Sequence, residues 1–166
     1  MGGKTAVKRL VNIMARDELQ NEEMILVSAC LAGCRCRYDG KDNLIPEIRD
    51  LVLSGRAVAV CPESAGGLPT PRDPGEIVGS RVLSCRRVDV TQPFQRGAEA
   101  ALETARKHGC RLAVLKSKSP SCGKGLIHNG RFDGGLVEGN GITAELLMEN
   151  GIRVLTEKEF VRIINT

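Results

Sequence analysis

The sequence predicts an α/β protein in which a mostly parallel sheet is covered by helices on both faces. Three observations carry this reading. Residues 25–29, 57–60 and 112–115 are short apolar runs without polar alternation, the pattern of strands buried on both sides. Segments with helical spacing lie between them, as parallel neighbours require. Loops rich in Gly, Pro and Cys leave the carboxyl end of each run.

Residues 1–23 read as a polar extension, in which Val7, Leu10, Val11 and Met14 could share one helix face, and residues 24–166 read as a single domain. The run 25–29 enters a Cys- and Gly-rich loop, 30–40. Residues 46–54 carry helical spacing at Ile48, Leu51 and Val52, and Gly55 can stop that helix. The strand 57–60 is followed at once by Cys61-Pro62-Glu63, then by a loop with Gly66, Gly67, Pro69, Pro71 and Arg72. Residues 76–89 suggest short strands turning near Gly79. The longest helix should span 91–108, capped by Thr91, with Pro93 in its first turn and Gly109 ending it. The strand 112–115 opens into the loop KSKSPSCGKG, 116–125. Residues 126–132 suggest a hairpin turning at Asn129-Gly130. A helix at 143–149, a strand at 153–155 and a capping box, Thr156 to Glu159, complete the pattern.

Of the 166 residues, 42% are hydrophobic and 27% charged, which excludes a wholly disordered or fibrous chain. The net charge of +4 admits an anionic small ligand but does not mark a nucleic-acid binder. With no Trp, one Tyr and three Phe, stacking platforms for single strands are scarce, and no stable nucleic-acid complex is expected. No apolar run approaches the ~20 residues that span a bilayer, so no membrane association is expected either. Seven cysteines, an odd number, follow a start without a signal-peptide pattern. That combination suggests a reducing, cytoplasmic compartment, where clustered thiols serve metal, redox or nucleophilic chemistry.

Ligands of open parallel sheets bind beyond the carboxyl ends of the strands. Cys30 and Cys61 directly follow two of the strands, and Cys122 lies in the loop leaving a third. Three thiolates on one sheet edge would make a soft-metal site with one open position. From the residues alone, a zinc with bound water, an iron–sulfur cluster with a free iron, and small buried structural cysteines all stay open. So do a non-catalytic zinc- or ligand-binding module and a thiol-redox protein using Cys30, Cys34 or Cys36. Cys85 and Cys110 read as buried structural cysteines away from the site, and His108 and His128 as isolated. Gly139-Asn140-Gly141 could offer helix amides to a substrate, although a plain turn fits equally.

Four motifs, CLAGCRCRYDG (30–40), Cys61-Pro62-Glu63, GGLPTPR (66–72) and KSPSCG (118–123), resemble in order the thiouracil desulfurase family, formerly a domain of unknown function. The resemblance runs from about Ile25 to the end. It implies a Rossmann-like, three-layer fold and a [4Fe–4S] cluster held by Cys30, Cys61 and Cys122, with one open iron. Handling in air is expected to strip such a cluster. The resemblance further implies a desulfurase that removes sulfur from a small thiolated nucleobase such as thiouracil without net redox change, the free iron binding the substrate sulfur. Glu63 would be the general acid/base and Ser119 would position substrate or water, with Ser121 as the competing serine. Arg72 and Lys124 could offset negative charge from cluster or substrate. Cys36 could be a thiol beside the ligands, a sulfur acceptor or an oxidation partner of Cys30.

Overall fold

Four parallel strands form the centre of the protein, whose computed structural model describes residues 23–165. They are β1 (Ile25–Ser28), β2 (Ala57–Val60), β5 (Leu112–Leu115) and β8 (Arg153–Thr156), in the order β2-β1-β5-β8. Two antiparallel hairpins stand outside this sheet: β3 (Gly75–Val78) with β4 (Arg81–Ser84), and β6 (Leu126–His128) with β7 (Leu136–Glu138). The expected helix face of Val7, Leu10, Val11 and Met14 lies outside the described residues.

Five α-helices accompany the strands among the described residues: α1 (Pro46–Leu53), α2 (Pro62–Ala65), α3 (Thr91–Lys107), α4 (Ile142–Glu149) and α5 (Glu157–Ile164). Side chains alternate across the sheet, as strand geometry requires. Leu26, Ala113 and Leu115 face a core built with Ala101 and Ala105 of α3 and Leu147 of α4. Ile25, Val27, Leu112 and Val114 face the opposite core, with Ile48 of α1 and Phe160 and Ile163 of α5. Burying Phe160 and Ile163 contributes roughly 1.5–3 kcal/mol each. This is the doubly covered, Rossmann-like arrangement that the apolar runs predict.

Local expectations are corrected in four places. Thr91 does not cap α3: the N-cap is Val90, and the Thr91 hydroxyl instead accepts from the Val82 amide at 2.9 Å. The hairpin expected at 126–132 is wider, because its return strand is Leu136–Glu138. A 3-10 turn, Ala29–Ala32, opens the loop after β1. Cys61-Pro62-Glu63 enters the one-turn helix α2, with Pro62 at its first position. The capping box is present: the Glu159 amide donates to Thr156 Oγ1, and the Thr156 amide to Glu159 Oε1, each at 3.1 Å.

Helix α2 is held against α3 by backbone contact. A Cβ added to Gly97 would run into the Pro62 carbonyl, and one added to Gly66 into the Pro93 carbonyl. Replacing a helical glycine by alanine ordinarily stabilises by about 1 kcal/mol. Gly97→Ala should instead give a net loss of about 1–3 kcal/mol by overpacking, or roughly 2–10 °C in Tm. Thermal melts of the purified variant check this, and an unchanged or raised Tm would contradict the close crossing.

Candidate functional site

Strand order reverses between β1 and β5, because the chain adds β2 on one side of β1 and β5 on the other. In such sheets the crevice at that point, beyond the carboxyl ends, is the binding position. A cavity of about 660 Å3 lies there. Arg37 and Asn43 from the segment after β1, Glu63 after β2 and Ser119 after β5 line it, and the hairpins add Glu76 and His128.

The strands end in register, with Ser28 opposite Val60 and Val27 opposite Val114. The residues that follow them therefore emerge at one rim. Ser28 reinforces this by accepting the Lys116 amide on its hydroxyl at 3.0 Å. Cys30, Cys61 and Cys122 are thereby brought within electrostatic reach of one another. Burial pushes the Cys122 thiol up to about 12, and the charges of Cys30, Glu63 and Cys61 add to that rise. Burial also raises Cys30, against a lowering contact from Asn43.

Cys61 goes the other way, to about 5. The Cys36 thiol hydrogen-bonds to it and, against the effect of burial, Ser64 and the Arg72 guanidinium also favour its thiolate. Cys36 keeps the shared proton and is raised accordingly. Cys61 Sγ lies 3.8 Å from the Cys36 carbonyl, and that oxygen accepts instead from Arg72 Nη2 at 2.8 Å.

Glu63 lies two residues beyond Cys61, in the first turn of α2, with its side chain 19% exposed. Burial raises its carboxyl above the ordinary 4.5; Arg72 opposes this and the Cys61 charge adds to it. The Arg72 contact, Nε to Glu63 Oε1, is 3.4 Å, longer than the roughly 2.7–2.9 Å of a strong charge-assisted bond. Desolvation therefore wins. The Arg72 side chain is 5% exposed and spends its other nitrogens on Pro69 and Thr70 as well as Cys36. It is thus a buried brace between the Glu63 turn and the loop after β1.

The loop after β5 separates its two candidate serines. Ser119 lines the cavity, and its Oγ accepts from the amides of Ser121 and Cys122, both at 3.0 Å. Ser121 is buried and its hydroxyl pairs with Thr143 Oγ1 at 2.8 Å, facing α4 rather than the cavity. The first amides of α4 are also spent on this loop. Ile142 donates to the Pro120 carbonyl and Thr143 to that of Ser121, so the segment Gly139-Asn140-Gly141 presents no free helix terminus to a ligand.

Several placements differ from the sequence expectation or escape it. Cys85 is exposed and lines the cavity, whereas Cys110 is buried as expected. Lys124 pairs with Glu159 at 2.9 Å. His128 is on the cavity wall. Lys116, Ser117 and Glu157 form a cluster that no spacing reveals, since its members lie some forty positions apart. Ser117 donates to Glu157 from its amide and its hydroxyl, each at 2.7 Å, and Lys116 Nζ donates at 3.0 Å.

Among the described residues, no group of three or more His, Cys, Asp or Glu is arranged to hold a single metal ion. The donor set suits a multi-iron cluster: three thiols from three strand exits, partly or fully buried and electrostatically coupled. Thiolates are the ligands such clusters take, spread over several irons rather than gathered on one.

Burial alone would raise the Glu157 carboxyl, but the bonds from Ser117 and Lys116 outweigh it and hold it below 4.5. A folded value depressed below the unfolded one contributes stability above the unfolded value, lost as pH falls through the folded one. Glu157→Gln should therefore cost about 1–3 kcal/mol at pH 7, with the gap to wild type closing below pH 4.5. Urea melts across pH check this; a gap that does not change with pH would contradict it.

Comparison with known proteins places the chain. The family model for 2-thiouracil desulfurase matches residues 25–159. The uncharacterized protein YbbK of Bacillus subtilis (strain 168) is 41% identical over 151 residues, covering 85% of this chain and all of that protein. The solved structure of the [4Fe-4S]-dependent thiouracil desulfidase TudS superposes with a TM-score of 0.81 at 47% identity, covering 86% of this chain and 95% of the other. With the strand-edge thiols, the carboxylate and the cavity in place, these matches show that the chain belongs to the 2-thiouracil desulfurase family.

Proposed function

We propose that this chain is an iron–sulfur-dependent desulfurase that converts a thiolated nucleobase, thiouracil in the first instance, into its carbonyl counterpart. The thiocarbonyl exchanges sulfur for the oxygen of water and hydrogen sulfide leaves. Carbon keeps its oxidation state, so no external oxidant or reductant enters. The observation that carries this reading is the buried Cys122 thiol within reach of Cys30, Cys61 and Glu63 at the sheet's switch point. In this reading Cys30, Cys61 and Cys122 hold a [4Fe–4S] cluster. When bound, it supplies a soft iron, free of protein ligand, suited to a thiocarbonyl sulfur.

The chain's own groups handle the protons. Glu63 takes a proton from the attacking water and returns one to the departing sulfur; burial, which raises its carboxyl above the ordinary value, makes it a better proton acceptor than an exposed carboxylate. Arg72 fixes the carboxylate on the cavity wall. Ser119 already accepts two amides, which leaves its O–H to donate to substrate or water. The region 24–166 acts as one unit in this reading, taking a small-molecule base rather than a nucleic acid in a reducing, cytoplasmic compartment. No helix among the described residues is long and apolar enough to cross a membrane.

The test is anaerobic reconstitution with iron and sulfide. Wild type should retain iron, turn thiouracil into uracil and release one sulfide per uracil. Cys30→Ala, Cys61→Ala and Cys122→Ala should each lose the iron, while Cys34→Ala keeps it. Glu63→Gln should keep the iron and lose roughly 10²–10⁴-fold in kcat. Equal iron retention in all three cysteine variants would overturn the ligand set, and an active Glu63→Gln would overturn the acid/base role.

A further inference from the structure

Residues 37–43 continue the loop after β1 and have no role in the proton transfers at Glu63, yet they are closely bonded. Gly40 (φ 76) turns the chain. Its amide donates to the Arg37 carbonyl at 2.9 Å, and the Arg37 amide donates to the Lys41 carbonyl at 3.1 Å. Asp39 Oδ1 accepts the Lys41 amide at 3.0 Å, and its Oδ2 accepts from Arg37 Nη2 at 2.9 Å. The other arm of the guanidinium fork, Arg37 Nη1, donates to Asn43 Oδ1 at 3.0 Å. The chain then returns to the strand exit. The Asn43 amide donates to the Cys30 carbonyl at 2.9 Å, and the Ile45 amide to the Leu31 carbonyl at 2.8 Å. Asn43 is thereby fixed beside Cys30 through its backbone, and its side chain lines the cavity.

The Asn43 side chain also hydrogen-bonds the Cys30 thiol and favours its thiolate. The donor inventory fixes the direction of that bond. A guanidinium can only donate, so the Asn43 atom that meets Arg37 is the amide oxygen. The amide nitrogen, with two N–H donors, is what remains for the sulfur. The same logic holds at Cys122. The Ser28 hydroxyl accepts the Lys116 amide at 3.0 Å, which leaves its O–H for the Cys122 sulfur that it also bonds. Cys61 has donors in the Cys36 thiol and in Ser64. Each of the three edge sulfurs thus has a donor of its own. A neutral thiol is a weak acceptor and gains little from such donors, whereas an iron-bound thiolate carries the charge that they complement.

We propose that Asn43, oriented by Arg37 and Asp39, is a positioning residue for the cluster, its amide N–H donating to the Cys30 sulfur and drawing electron density from it. This deepens the desulfurase reading and rests on it. Hydrogen bonds to the ligand sulfurs set the reduction potential of such clusters, and they raise it because part of the charge added on reduction falls on sulfur. The same withdrawal leaves the free iron a stronger acceptor for a thiocarbonyl sulfur. Arg37 acts through geometry rather than net charge, since Asp39 answers its charge at 2.9 Å. Its planar fork lets one side chain hold Asp39 and Asn43 at once, which a lysine ammonium on a flexible stem does not reproduce.

The experiment is an anaerobic redox titration of the substrate-free, cluster-loaded protein, followed by electron paramagnetic resonance, with iron content measured on each sample. Asn43→Leu, close in shape but without a donor, should shift the one-electron equilibrium about tenfold toward the oxidised cluster, a potential lower by about 59 mV. Loss of iron to a chelator should also be about tenfold faster in that variant. Arg37→Lys, which keeps the charge, should shift the potential in the same direction in the wild-type background and by less than about twofold in the Asn43→Leu background. Asn43→Ala replaces the leucine variant if that fails to fold. An unchanged potential in Asn43→Leu, even with faster iron loss, would make Asn43 a structural part of the loop and overturn the assignment. An Arg37→Lys shift that is absent from the wild-type background, or equal in both, would overturn the orienting role of Arg37. Wild type that retains no iron would overturn the parent function and this assignment with it, whereas wild type that holds iron yet leaves thiouracil intact would overturn the parent function itself.

Discussion

Four parallel strands ending in register are the constraint on which the site rests. Ser28 faces Val60 across one strand pair, and Val27 faces Val114 across the other. Because both faces of the sheet are buried under helices, the chain can leave these strands only at their ends. Three exits from neighbouring strands, about 4.8 Å apart, therefore deliver Cys30, Cys61 and the Cys122 loop to one rim. Ser28, buried and hydrogen-bonded to the Lys116 amide, keeps the central pair of exits together. Thiols distant in sequence thus meet because the strands that precede them are neighbours in the sheet.

Around that rim the electrostatics are set by burial and answered by two cations. Desolvation raises Cys30, Cys122 and Glu63, while Arg72 partly counters it at Glu63 and favours the Cys61 thiolate. Farther along the rim, Lys116 and Ser117 outweigh burial at Glu157 and keep that carboxylate charged. The two glutamates illustrate opposite outcomes of one competition. Glu157 receives three bonds of 2.7–3.0 Å and stays ionised, whereas Glu63 has a single 3.4 Å contact and is pushed toward its neutral form. A structural carboxylate and one suited to proton transfer are distinguished here by hydrogen-bond count and length, not by residue type.

Much of the framework was legible in the sequence because it depends on local signals. The apolar runs 57–60 and 112–115 became β2 and β5 without change, and the capping box at Thr156 formed as written. Cys30 and Cys61 were legible as edge residues because each directly follows a strand. The wall supplied by the hairpins was not legible. Cys85 and His128 sit on or beside short hairpins, and nothing local specifies which way a hairpin folds over a sheet. The Ser117–Glu157 pair joins two segments whose contact exists only once β5 and β8 lie side by side. Thr91 carried a capping signal that lost to a tertiary bond with the Val82 amide. The scarcity of aromatics hid how they are used, since Tyr38 and Phe132 both line the cavity at the switch point.

Iron-edge anomalous scattering from crystals grown and reconstituted without oxygen tests the central claim most directly. A single compact iron site is expected, bounded by the sulfurs of Cys30, Cys61 and Cys122 and by no other protein ligand. Iron bound by Cys34 and Cys36, or a site that leaves any of the three edge cysteines unligated, would contradict it.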